Sequence, residues 1–148
     1  MNNPLRLAAL SALLLTSMAH AAEPLTIDVH RDAHCGCCKH WIAHLQSNGL
    51  KVIDHVEDDM SRVKEQLGVE PRLASCHTGV INGKFVEGHV PAEHVIALST
   101  RADLKGIAVP GMPIGSPGME MGDQKDAFQV IGLRNDGRDE GVATYPGH

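Results

Sequence analysis

The chain has 148 residues, with 13 Lys and Arg against 18 Asp and Glu, for a formal net charge of -5. A mildly acidic balance argues against nucleic acid or an anionic membrane surface as partner, because either calls for a basic patch. Two Phe, one Tyr and one Trp leave Leu, Ile, Val and Ala to form most of a core, in a length suited to one domain.

The first predicted element is a secretory signal peptide over residues 1–21. It has one positive charge at Arg6, an apolar run from Leu7 to Leu15, and Ala19-His20-Ala21 as a small-x-small cleavage signal. The apolar run is too short to span a bilayer. Removing the segment takes the basic count from 13 to 12 and the net charge from -5 to -6. Residues 22–148 are expected as one exported domain with no membrane segment, in an oxidising compartment.

Leu25 to His30 alternates apolar with polar and predicts a strand. It leads into residues 34–44, which pack three thiols (Cys35, Cys37, Cys38) and three imidazoles (His34, His40, His44) into eleven positions. A helix from about Cys35 to Gly49 would put Cys38, Trp41, Ile42 and Leu45 on a buried stripe, with Gly49 just past its end. Cys37, His40 and His44 would share a neighbouring face. Cys35 would lie at the helix N-terminus, where free N–H groups and the helix dipole favour thiolate. Cys35 and Cys38 also have the C-x-x-C spacing of a thioredoxin-type dithiol, so one segment offers a redox pair and a soft-metal site.

Lys51 to Val56 predicts a second strand, and Met60 to Val69 a helix closed by Gly68 and Pro71. Leu73 to Ile81 and Lys84 to Val90 predict a hairpin around Asn82-Gly83, a type I′ turn signal. Pro91, at the first helical position, opens a helix containing Val95, Ile96 and Leu98. The order β-α-β-α-β-β-α is that of thioredoxin-like α/β folds, with the dithiol at the first strand-to-helix turn. A Met/Pro/Gly-rich loop, Val109 to Gly122, follows. It carries Met112, Met119 and Met121 and suits a flap over the cysteines, although methionines that merely anchor the loop to the core would look the same. Asp126 to Leu133 predicts a C-terminal strand; Arg134 to Tyr145 is too polar and glycine-rich to assign.

Four cysteines in an oxidising compartment invite a reading as two structural disulfides. Adjacent Cys37 and Cys38 cannot bridge without strain, and three clustered thiols against one distant Cys76 make poor staples. A metal or redox role is favoured.

The strings Cys35-Gly36-Cys37-Cys38, Leu73-Ala74-Ser75-Cys76-His77-Thr78-Gly79, Glu87-Gly88-His89-Val90-Pro91-Ala92 and Val109-Pro110-Gly111-Met112-Pro113-Ile114-Gly115-Ser116-Pro117-Gly118-Met119-Glu120 together resemble the CopG family of periplasmic copper-resistance proteins. The resemblance implies a thioredoxin-like fold and copper in a multinuclear cluster bridged by the sulfurs of Cys35, Cys37, Cys38 and Cys76. His34, His40, His44, His77, His89, Met112 and Met119 are expected as further ligands or as their supports. Counting back from the hairpin glycine, Ser75 falls where thioredoxins commonly carry a proline, which sets Cys76 and His77 against Cys35 and weakens the case for disulfide exchange.

Ligand softness points to the same metal. Thiolate, thioether and imidazole together suit Cu(I), whereas one zinc would be saturated by four thiolates. Three thiols within four residues cannot all reach one ion comfortably, so bridging is expected. The favoured function is a periplasmic copper-binding resistance protein, with copper redox activity compatible with the site and other periplasmic copper-handling proteins as partners. The alternative is a thiol-disulfide oxidoreductase in which Cys35 attacks and Cys38 resolves.

Overall fold

The structure, a computed structural model, describes residues 21–148. The expected signal peptide lies outside the described residues but for Ala21. Among the described residues no helix is long and apolar enough to cross a membrane.

Strand β1 (Thr26–Asp32) runs into helix α1 (Gly36–Ser47), then β2 (Lys51–Glu57) and α2 (Met60–Gln66). A 3-10 turn over Pro71–Leu73 leads to β3 (Thr78–Ile81) and β4 (Lys84–Glu87), then α3 (Ala92–Leu98) and β5 (Leu104–Ala108), and finally β6 (Phe128–Arg134) and β7 (Asp139–Tyr145). The strands form one sheet in the order β2-β1-β3-β4-β5-β6-β7. The expected α/β class and the β-α-β-α-β-β-α order of the leading elements are both observed.

α1 ends as its sequence requires. Leu50 N–H reaches back to Leu45 O (3.2 Å) and Gly49 N–H to Gln46 O (3.1 Å). This closure needs the left-handed backbone at Gly49, φ 86°. Cys38, Trp41, Ile42 and Leu45 form its buried stripe. Asn82 and Gly83 both take positive φ, 48° and 73°, as a type I′ hairpin demands.

The sheet separates two cores. Trp41, Leu45, Val95 and Leu98 from the helices meet Ile27, Val29, Val86 and Ile107 on one face; Val69, Leu73, Phe85 and Leu133 gather on the other. Neighbouring Phe85 and Val86 fall in different cores because side chains alternate along a strand.

Several boundaries differ from expectation. Pro91 is the N-cap of α3, not its first helical residue, and Ala92 begins the helix. The chain from Leu73 to His77 is a turn and an irregular loop; only Thr78–Ile81 pairs as a strand. β5 is a strand with no counterpart in the expected set. β7 occupies the stretch left unassigned, pairing antiparallel with β6.

Candidate metal site

α1 begins at the cysteine motif because Cys35 caps it. Its sulfur accepts the Cys38 N–H (3.3 Å), satisfying one of the orphan donors of the first turn. Cys35 and Cys38 are joined as a disulfide, while Cys37 and Cys76 are free thiols. Cys35 is therefore a capping sulfur in a disulfide and not the helix-stabilised thiolate expected. Cys37 Sγ lies 3.5 Å from Cys35 Sγ and 3.7 Å from Cys76 Sγ. All four sulfurs lie within 4.8 Å of one another.

Cys76 reaches this point through the sheet. The pairing Thr78↔Glu87 at the open end of the β3–β4 hairpin sets residues 76–77 beside residues 88–89. Gly88 has φ 77°, and a Cβ there would meet Val109 O at 2.5 Å and Ser75 Cβ at 2.7 Å. Only glycine lets these loops close on each other.

Two histidines complete the arrangement. His77 Nδ1 is 3.2 Å and His89 Nε2 3.3 Å from Cys76 Sγ. His77 Nε2–H donates to Gly88 O (2.8 Å) and His89 Nδ1–H to Pro117 O (2.7 Å). A carbonyl oxygen only accepts, so in each neutral ring the nitrogen facing Cys76 is the bare one. Two bare nitrogens face one S–H, which can satisfy one of them. A cation at this spot would serve both.

Electrostatics keep the two imidazoles, but not the thiol, in ligand-ready form. His77 and His89 are fully buried, and Trp41 stacks on His77 with ring centroids 4.2 Å apart. Burial, and then the neighbouring His89, hold the His77 imidazole well below its usual pKa. Burial likewise lowers His89, with the Pro117 carbonyl and the Glu120 charge pulling the other way. Burial, followed by Cys37, pushes the Cys76 thiol up to about 12. Without a metal Cys76 is a protonated thiol, and a soft ion must displace its proton.

The loop from Val109 covers this site with its backbone. Pro117 O holds His89, Ser75 Oγ donates to Gly111 O, and Gly118, with φ 86°, presses on α1 so closely that a Cβ would lie 2.8 Å from Trp41 N. Met112 is 45% exposed and lines a groove with Pro110, Pro113, Phe128 and Ile131. Met119 is half-buried, within the turn closed by Gly115 N–H to Met119 O. His34 and His40 are exposed and join neither ligand group. His44 is half-buried and its Nε2 accepts the Ala92 N–H (3.0 Å), tying α1 to α3 instead. The structure thus brings together Cys35, Cys37, Cys38, Cys76, His77 and His89 of the expected residues.

Glu87 was not anticipated. Its fully buried carboxylate accepts the Ser75 N–H (2.8 Å) and Thr78 Oγ1–H (2.6 Å) and pairs with the Lys64 ammonium. It pins both sides of the Cys76-His77 segment. A charged residue ending the apolar pair Phe85-Val86 was the available signal.

Fold and site define an α/β protein with a cysteine cluster able to hold metal. The family described as "Protein of unknown function, DUF411" matches residues 73–119, the stretch from the Cys76 loop to the covering loop. Two solved structures titled "Copper resistance protein copG", Forms 1 and 2, are 67% and 66% identical, each with a TM-score of 0.82, covering 84% of this chain and all of theirs. No curated protein matches. The chain belongs to the CopG family of copper resistance proteins.

Proposed function

We propose that this protein is a periplasmic copper-binding protein of copper resistance, exported by its signal peptide. It holds Cu(I) in a multinuclear site bridged by Cys35, Cys37, Cys38 and Cys76. His77 and His89 add nitrogen ligands, and membership of a copper-resistance family supports copper as the metal. The observation that carries this reading is Cys76 at the junction of two donor sets: three further sulfurs on one side and two bare, buried imidazole nitrogens on the other. Soft donors in this proportion select Cu(I) over harder cations. Met119 and the outer histidines His34, His40 and His44 are candidates for a wider shell, whereas the exposed Met112 lines an open groove. The frame is thioredoxin-like, supported by parallel β1–β2, antiparallel β3–β4 and a dithiol at the first strand-to-helix turn.

Copper redox activity fits the same residues. Oxidation of the Cys35 and Cys38 thiolates to the observed disulfide releases two electrons, enough to reduce two Cu(II) ions to Cu(I). Other periplasmic copper-handling proteins would then exchange the metal. The test is copper uptake by the reduced mature protein with X-ray absorption on the product. More than one copper per chain with sulfur neighbours and a copper–copper distance is expected; no uptake by reduced protein overturns the proposal.

A second reading is favoured by one observation, the Cys35–Cys38 disulfide itself: a thiol-disulfide oxidoreductase. It requires that the metal-free protein reduce a disulfide substrate at a rate that Cys38→Ser abolishes.

A further inference from the structure

The donors around Cys76 fall into two sets that share only that residue. Cys35, Cys37 and Cys38 sit at the start of α1; His77 and His89 come from the β3 and β4 ends of the hairpin. The disulfide ties up Cys35 and Cys38 and leaves Cys76 a free thiol. His77 is held by Gly88 O through its ring and by Gly88 N–H through its carbonyl, and His89 by Pro117 O. Glu87 fixes the chain on either side of Cys76. None of these anchors uses a sulfur of α1.

We infer that the disulfide form keeps a one-ion site made of Cys76, His77 and His89, so that the Cys35–Cys38 couple sets how much copper the protein holds. The inference rests on the copper-binding reading above and adds its regulation.

Geometry and charge support a single monovalent ion there. At zinc-like bond lengths of about 2.3 and 2.1 Å, a sulfur and an imidazole nitrogen on one ion lie about 3.6 Å apart at tetrahedral angles and about 3.8 Å at the trigonal angles of three ligands. The observed separations of 3.2 and 3.3 Å need open by only a few tenths of an ångström. One thiolate with two neutral imidazoles balances one positive charge, which leaves no net charge in a site whose two rings are fully buried. The proton displaced from Cys76 leaves to solvent as the ion enters. Reducing the disulfide with an external dithiol, which leaves as its own disulfide, restores two thiolates to the first set and, with them, the bridging positions; a small-molecule disulfide, itself reduced to thiols, oxidises them again and returns those ions to solution while the one at Cys76 is retained.

The experiment titrates Cu(I), delivered anaerobically from a chromophoric Cu(I) chelator without thiol reductant, into the disulfide form and into the reduced form. Thiol counting under denaturing conditions must find two free thiols per chain in the first and four in the second. One retained copper per chain is expected for the disulfide form and at least twice that for the reduced form. The double variant Cys35→Ser, Cys38→Ser, which lacks both thiols of the disulfide without needing oxidation and keeps Cys37, should also hold one, and adding Cys76→Ser to it should remove that one. If the reduced protein binds several ions while the disulfide form and the double variant bind none, this inference fails and the copper-binding reading stands. Equal copper in the disulfide and reduced forms also overturns it. If the reduced protein binds none, the copper-binding reading fails as well.

Discussion

Cys76 is the residue on which both donor sets depend. Cys76→Ser should lower the copper held by the reduced protein to less than half, while the far-UV circular dichroism stays that of the parent. Unchanged stoichiometry would take Cys76 out of the site. Cys37 makes the complementary case. It occupies the second position of α1, where no backbone N–H is owed to the helix, so Cys37→Pro should fold. With one bridging sulfur gone and Cys35 and Cys38 retained, the variant should hold fewer ions and reduce insulin disulfides faster than the parent. Equal copper in the two proteins would refute a ligand role for Cys37. Glu87 works through its neighbours. Glu87→Gln leaves the Lys64 ammonium without its carboxylate at a site where the partner is fully buried and Lys64 itself 15% exposed. Breaking such a pair costs on the order of 3 kcal/mol. Chemical denaturation of the metal-free protein should show that loss; a change under about 1 kcal/mol would mean that Ser75 and Thr78 hold the segment without it.

At the scale of elements, the covering loop acts through its main chain, and glycine substitutions separate this from a methionine-based flap. Gly118→Ala adds a Cβ 2.8 Å from Trp41 N and 3.1 Å from His89 Nδ1, in a left-handed backbone that disfavours any side chain. The loop must lift from α1, so Cu(I) should transfer to a competing chelator several-fold faster, with about 1–3 kcal/mol lost from stability. Gly111→Ala has φ 69° but open space at its Cβ, so it carries the backbone cost alone and should leave transfer unchanged. Met112→Leu should also leave it unchanged, because that side chain lies in an open groove with Pro113 and Phe128. Faster transfer from Met112→Leu would instead bring its thioether to the metal.

At the scale of the molecule, β5, β6 and β7 extend the sheet past the hairpin and add ion pairs to the apolar side chains, Ile107, Val130 and Leu133 among them, that they bury. Arg101 binds Asp103 through two hydrogen bonds of 2.8 Å and reaches Glu140 on β7 at 2.7 Å. The Arg101 hydrogen bonds hold the Asp103 carboxyl down to about 2. A carboxylate with a depressed folded pKa stabilises the fold above its ordinary value near 4, and this stabilisation is lost as pH falls through about 2. Asp103→Asn should therefore be less stable than the parent at pH 6, with the gap closing by pH 2 and shrinking in high salt, since these groups are exposed. A gap independent of pH would assign the effect to packing.

The sequence by itself determined what short-range patterns encode: the α/β class, the α1 stripe from Cys38 to Leu45, the Asn82-Gly83 turn and the thiol motif at the head of α1. It also determined that Cys76 belongs with that motif, through separated strings whose order resembles one family. It did not reveal β5, because Leu104 to Ala108 is short and its Gly106 has no strand preference. That glycine is required only because Phe85 of the neighbouring strand occupies the place of its Cβ, 2.4 Å away. β7 was hidden by its charged and glycine-rich composition, which suits an edge strand but alternates weakly. Among the ten histidines, nearness in sequence to the thiols favoured His34 and His40 as firmly as His77 and His89, yet His34 and His40 are exposed while His77 and His89 are buried. Only the register of β3 on β4 distinguishes them, since pairing Thr78 with Glu87 brings residues 77 and 89 to the same end of the hairpin. The carbonyls of Gly88 and Pro117 then turn each bare nitrogen toward Cys76. Such backbone partners carry no side-chain signature, so the donor set was decided by tertiary structure.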